Sequence, residues 1–167
     1  MLQTERLRIR HFGPQDAAFI LELLNDPDWI RFIGNRNLRT LDEARAYIDK
    51  SLVGLYKRLG FGLDLVELRE TGEPIGMCGL IKRDTLEHVD LGFAYLPAFR
   101  GRGYGYEAGV AALDYGVNEL NLERIVAITS PDNDASGKLL RRLGFEFQGA
   151  IPYGNESELS NYFTYDP

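Results

Sequence analysis

The sequence predicts a mixed α/β domain: a central, mostly antiparallel sheet of about seven strands flanked by about four helices. Three observations predict it. Segments of period-two alternation take turns along the chain with segments of helical period. The early strands follow one another across short polar turns, a meander, whereas the later ones are separated by helices, a crossover. Between Leu91 and Leu113 an apolar strand, a loop of alternating glycines and arginines, and a helix follow directly on one another.

Residues 6–10 alternate Leu7 and Ile9 with arginines, as a half-buried strand does. Gly13-Pro14 breaks it and sets a proline near a helix start. Residues 16–24 then read as a helix with Phe19, Ile20, Leu23 and Leu24 turned inward. Asn25-Asp26-Pro27 ends that helix. Residues 28–34, DWIRFIG, form a short apolar-aromatic segment before a polar loop. Thr40 and Glu43 make a capping box. The helix it opens runs to about Leu59, carries Ala44, Tyr47, Ile48, Leu52, Leu55 and Tyr56 at helical spacing, and stops at Gly60.

Residues 61–69 and 74–82 pair as a hairpin across a Glu-Thr-Gly-Glu turn. Residues 89–96 add a third strand to the meander, and Pro97, with no N–H for the ladder, ends it. A helix follows to about Leu120. Residues 124–130, RIVAITS, are a buried strand. Asp132-Asn133-Asp134 caps a helix marked by Leu139, Leu140 and Leu143 and stopped by Gly144. Residues 145–149 and 159–165 are two last short strands.

Length and composition set bounds. At 167 residues the chain is expected to be one domain over 1–167, large enough to bury a core without staples. One cysteine, Cys78, excludes an internal disulfide and fits a reducing compartment. No stretch approaches the roughly 20 apolar residues of a membrane span, and the polar start does not fit a signal peptide, so a cytoplasmic protein with no membrane partner is expected. The net charge of −6 argues against nucleic acid as a partner. It favours a cationic substrate such as an amine, although a mild acidic excess is also a common solubility device. His11 and His88 are isolated and no metal-ligand spacing occurs, so no metal is expected. Cys78 reads as an apolar filler rather than an acyl carrier.

Against that acidic background, Arg100-Gly101-Arg102-Gly103-Tyr104-Gly105 concentrates positive charge and conformational freedom in one loop. Glycines let the backbone take positive φ and let a ligand approach the peptide N–H groups. A helix that starts there offers unpaired N–H groups and the positive end of its dipole, a site for an anion and above all a phosphate. Arg100 and Arg102 add fixed charge. A dinucleotide fingerprint also matches at Gly103, Gly105 and Ala108. Pro97 to Arg100 intervene between strand and first glycine, however, an antiparallel meander precedes the loop, and too little chain follows for a doubly wound sheet. A plain surface turn is the remaining alternative.

The loop resembles the pyrophosphate-binding loop of the GNAT acyl-CoA N-acyltransferases. Glu107-Ala108 after it, Asp90 to Phe93 before it and the opening Thr4-Glu5-Arg6-Leu7-Arg8 resemble the branch that acetylates N-terminal amines of ribosomal proteins. The likeness covers nearly the whole chain. It implies the GNAT fold, with the strands on either side of the loop's helix splayed at one end around the pantetheine arm. It also implies acetyl-CoA as co-substrate and direct acetyl transfer to a primary amine of a protein N-terminus or small molecule, and it admits a homodimer. A non-catalytic acyl-CoA sensor or partner-binding module of the same fold is the alternative. By the resemblance Gly101, Gly103, Gly105 and Tyr104 cradle the pyrophosphate with Arg100 and Arg102. Tyr95 offers a backbone group to the pantetheine, and Asn133 bonds it with its side chain.

Direct transfer needs a proton donor for the leaving thiolate and a route for the amine's proton. The tyrosine that many relatives use falls here on Leu140. Ser136 is the substitute by resemblance, with helix capping as the other reading. Asp90 stands where the branch often carries a glutamate base, and a solvated strand-edge carboxylate is the equal alternative. Lys138, Arg141 and Arg142 are candidates for the far end of CoA or for ordinary dipole compensation. Trp29, Phe32 and the 153–156 loop are candidates for the acceptor pocket or for plain packing.

Overall fold

The computed structural model of the chain describes the side chains of residues 1–154 and 158–167. Eight strands form one sheet: β1 (Leu2–Gln3), β2 (Leu7–Arg10), β3 (Leu63–Leu68), β4 (Pro74–Ile81), β5 (Val89–Tyr95), β6 (Ile125–Thr129), β7 (Glu146–Tyr153) and β8 (Asn155–Tyr165). Their order across the sheet is β1-β2-β3-β4-β5-β6-β8-β7. Every pairing is antiparallel except β5 with β6, the crossover expected from the intervening helix.

The helices are α1 (Ala17–Leu24), α2 (Pro27–Phe32), α3 (Leu41–Tyr47), α4 (Gly54–Leu59), α5 (Tyr104–Asn118) and α6 (Asp134–Arg142). A π-helical segment, Ile48–Val53, joins α3 to α4 without a break. The sheet is covered on both faces. One core packs Leu7, Val66, Cys78, Leu91 and Ile125 against α5 and α6. The other packs Leu65 and Met77 against Phe19, Ile20, Ala44, Ile48 and Leu52. β4 is therefore buried along nearly its whole length, as a strand with both faces covered must be.

The structure departs from the sequence expectation at three places. Residues 28–34 are mostly helical: Asp26 caps α2 by accepting from the Trp29 N–H at 3.3 Å, and Pro27 occupies the first turn. Asp-Pro stopped α1 and started α2 in the same step, the role proline plays at a first helical position. The short β1 pairs with β2 through Leu2↔Ile9 and Gln3↔Arg8. The last two strands are longer than expected, and register shifts near Phe147 and Pro152 bend the β7–β8 pair.

The β5–β6 pairing positions the site. Only Val89↔Ile125 and Asp90↔Val126 are in register, while β5 continues to Tyr95 and β6 to Thr129. Beyond Asp90 the two strands part. β5 stays on β4 as far as Gly76↔Tyr95, and β6 stays on β8 as far as Thr129↔Asn161.

Candidate active site

Two cavities open where the strands part. The first, about 560 Å³, is lined by the glycine loop, Tyr95, the start of α5 and one side of α6. The second, about 950 Å³, lies among β5, α2 and the π-helical segment and contains Asp90 and Arg83. Trp29, Phe32, Ile33, Phe93, Asn133 and Ser136 line both. The cavities thus meet in the cleft between β5 and β6, with the first turn of α6 at the junction.

The loop is shaped as an anion cradle. Gly101 (φ 73°) and Gly103 (φ 83°) take left-handed conformations, which side chains other than glycine adopt at a cost. Among the described residues no hydrogen bond engages the N–H groups of residues 101–106. Successive free N–H groups at the positive end of the 15-residue α5 form a nest for anionic oxygens. At Gly105 an added Cβ would lie 3.0 Å from Leu139 Cδ2 and 3.3 Å from the Tyr95 ring, so glycine keeps that wall open.

Both loop arginines also make contacts within the protein. Arg100 lines the first cavity, and its guanidinium is held by three acceptors of the protein. Its Nε donates to the Tyr95 carbonyl at 2.9 Å and its Nη2 to Asp26 at 2.9 Å, and Nη1 pairs with Asp28. It ties the end of β5 to the start of α2. Its charge is shared with two carboxylates, and the Tyr95 carbonyl is already accepting one bond. The Arg102 side chain stands over the Phe99 ring at 5.7 Å, and its carbonyl accepts from Arg6 Nη1 at 3.0 Å. Lys138 and Arg142 line the loop-side cavity, but Arg141 does not; it stands over Phe147 and Phe163.

At the junction, Asn133 Oδ1 accepts from the Ser136 N–H at 3.2 Å and caps α6. Capping occupies only the Asn133 oxygen; its amide nitrogen remains a donor at the cavity wall. Ser136 sits in the first turn of α6, half-buried. Leu140 is fully buried on the same wall and brings no hydroxyl.

Asp90 is not a solvated edge carboxylate. It is 1% exposed and lines the second cavity. Both its oxygens face Arg83 Nε, at 3.1 and 3.2 Å, and Arg83 Nη1 donates to the Tyr153 hydroxyl at 3.1 Å. Burial pushes the Asp90 pKa up, and the Arg83 guanidinium and Lys82 only partly offset it. A carboxylate so placed holds a proton more readily than one in water. Tyr153 shares this wall; positions 155 and 156 lie outside the described side chains. Cys78 is buried away from both cavities, its thiol pushed up to about 12 by burial, which suits an inert core residue.

Residues 6–146 match the acetyltransferase (GNAT) domain. The chain belongs to the GNAT acetyltransferase family. It is 32% identical over 155 residues to the uncharacterized N-acetyltransferase p20 of Bacillus licheniformis, covering 90% of this chain and 84% of that protein. It is 29% identical over 155 residues to the spermidine N(1)-acetyltransferase of Escherichia coli, covering 90% and 78%. A 69-residue stretch, 41% of this chain and 36% of that protein, is 41% identical to the alanine N-acetyltransferase of ribosomal protein uS5 from E. coli. The crystal structure of an acetyltransferase from Agrobacterium tumefaciens superposes with a TM-score of 0.83 at 26% identity, covering 99% of this chain and 94% of that one. The GNAT fold expected from the glycine loop is the fold observed. Among the described residues no cluster of histidine, cysteine and carboxylate side chains has the makings of a metal site, and no helix is long and apolar enough to cross a membrane.

Proposed function

We propose that this GNAT acetyltransferase transfers the acetyl group of acetyl-CoA directly to a primary amine, of a small molecule or a protein N-terminus. The observation that carries the reading is the parting of β5 from β6 after two residue pairs, with the N–H cradle at one mouth of the gap and the Asp90 cavity at the other. Donor and acceptor then approach from opposite sides and meet at Ser136.

Bound acetyl-CoA supplies an activated thioester carbonyl. The chain's own residues do the rest. The N–H groups of residues 101–106 and the α5 dipole bind the pyrophosphate. Lys138 and Arg142 flank the outer part of that cavity. The Asn133 amide nitrogen and the Tyr95 backbone guide the pantetheine arm between the strands. Asp90, directly or through one water, takes the proton from the amine, whose nitrogen forms the new bond to the carbonyl carbon. The carbon–sulfur bond breaks, and Ser136 relays a proton to the sulfur, giving its own and taking one back from water in the cleft. Arg83 positions Asp90.

Calorimetric titration with acetyl-CoA, CoA and NAD, followed by thiol release over a panel of amines and N-terminal peptides, tests the proposal. CoA-type binding without NAD binding, plus thiol release with an amine, is the expected result. Absence of CoA binding would overturn it.

A further inference from the structure

The acceptor-side cavity carries a charge pattern that narrows the acceptor class. Among the described residues three guanidinium groups line it, those of Arg31, Arg36 and Arg83, against two carboxylates, Asp90 and Glu158. Arg31 is paired outward, with Asp132 at 2.9 Å. Arg83 meets Asp90 through Nε alone, and its terminal nitrogens point elsewhere, Nη1 towards Tyr153. Among the described residues Arg83 Nη2 has no partner and Arg36 has no carboxylate. Tyr47, at the end of α3, lies within the field of both Arg36 and Arg83: burial raises its pKa and the two arginines work against that rise. Arg36 and Arg83 line the same cavity as Ser136, and the buried Asp90 in it is bonded to Arg83.

We infer that the acceptor is an amine that also carries a carboxylate, of the amino-acid type, with the carboxylate held by Arg36 and the terminal nitrogens of Arg83 and the amine directed to Asp90. The inference rests on the acetyltransferase reading above. Guanidinium groups match a carboxylate as a planar fork through charge-assisted bonds, here with Arg83 half-buried and Arg36 exposed. A polyamine fits poorly. Its further ammonium groups would meet Arg36 and Arg83, and of the two carboxylates among the described lining residues Asp90 already serves Arg83. Like charges brought together beside the half-buried Arg83 repel. The overall acidity of the chain, net −6, thus misreports the local field of its acceptor site.

The test uses the intact chain saturated with acetyl-CoA. Thiol release is measured for a set of L-amino acids, each against its own amide, with spermidine and putrescine in parallel. Short peptides with and without an acidic second residue distinguish a free amino acid from a protein N-terminus as the source of the carboxylate. The acid form is expected to exceed its amide in kcat/KM by about tenfold or more, since a site built around a polar group rejects analogues that lack it. In Arg36→Ala the acid-to-amide ratio falls towards one through a higher KM for the acid. Equal or better turnover of amides or polyamines overturns the inference while leaving the acetyltransferase reading intact. If no acceptor releases thiol, binding of N-acetyl amino acids and of their amides to the CoA-loaded protein is compared by calorimetry. Preference for the acid supports the inference, and no preference overturns it. Loss of all CoA binding sinks the underlying reading instead.

Discussion

Glu107, in the first turn of α5, holds Arg6 by two bonds: Oε1 accepts the Arg6 N–H at 2.8 Å and Oε2 accepts Nε at 2.7 Å. Oε1 also accepts the Thr4 hydroxyl at 2.5 Å, and Arg6 reaches on to the Arg102 carbonyl at 3.0 Å and over the Tyr104 ring at 4.4 Å. The segment before β2 is thereby strapped across the glycine loop. The strap fixes the loop's outer side and leaves its N–H groups facing the cavity.

Glu107→Gln is expected to cost about 1–2 kcal/mol at neutral pH, the range of a charge-assisted bond trimmed for the partial exposure of Arg6. Burial works against the Glu107 charge, but the bonds from Thr4 and Arg6 outweigh it and hold the carboxyl below its ordinary range. A depressed folded pKa means stability present above the unfolded value, about 4.3, and lost as pH falls through the folded one. Denaturant melts of both proteins should therefore differ most near neutrality and converge in acid. A gap that stays constant with pH would remove the charge from the account.

Arg100 reads as a phosphate ligand in the sequence and is a strut in the structure. The Arg100→Ala variant leaves Asp26, 9% exposed, without its cation. An unpaired buried carboxylate is costly, and with Arg100 itself partly exposed the loss should be about 2–3 kcal/mol. Arg100→Lys should recover little, because an ammonium cannot reach Asp26, Asp28 and the Tyr95 carbonyl together. A double-mutant cycle with Asp26→Asn checks the mechanism. Coupling well above zero is expected, and simple additivity would argue that the two residues do not act on one another.

How much was legible beforehand follows from these contacts. The period of each segment gave seven of the strands, because alternation is a local property that the sheet merely reads out. The Thr4–Arg8 and Glu107-Ala108 motifs were visible as family marks, yet nothing local says that they touch each other across about a hundred residues of chain. Asp26-Pro27 reads as a stop and is equally a start, so nothing local marks α2. With α2 went the carboxylates that claim Arg100. The parting of β5 from β6 came from resemblance alone, since no pattern within either strand encodes where pairing ceases. The second cavity's arginines come from α2, the loop after it and the turn that follows β4, three places with no common sequence signal.

Gly103 and Gly72 offer a controlled comparison. Both are left-handed, at φ 83° and φ 72°, but Gly72 lies in the β3–β4 turn, far from either cavity. An alanine at either position should cost about 1–2 kcal/mol of stability through backbone strain. Only Gly103→Ala should also weaken CoA binding, by about tenfold, because it alone reorients N–H groups of the nest. Thermal unfolding with calorimetry on both variants separates strain from site geometry. Equal loss of CoA affinity in the two variants would trace the effect to general destabilisation.

Asp90→Asn addresses the amine's proton. The mutant keeps the shape of the side chain and can still accept a bond from Arg83, but it removes the charge and the basicity. Because burial raises the Asp90 pKa, protonation should silence the wild type at a pH above the ordinary aspartate value of about 3.9. The acid limb of kcat/KM should therefore show two ionisations: that of Asp90, and that of the amine, which must lose its proton in either protein. In Asp90→Asn the first should vanish and the second remain, with kcat lower by about 10²–10³, within the usual worth of a general base. KM for acetyl-CoA should change little, since Asp90 lies in the second cavity and not in the one lined by the glycine loop. A kcat within a few-fold of wild type would mean that the proton leaves by water alone, and Asp90 would then be the counter-ion that fixes Arg83 in the acceptor wall.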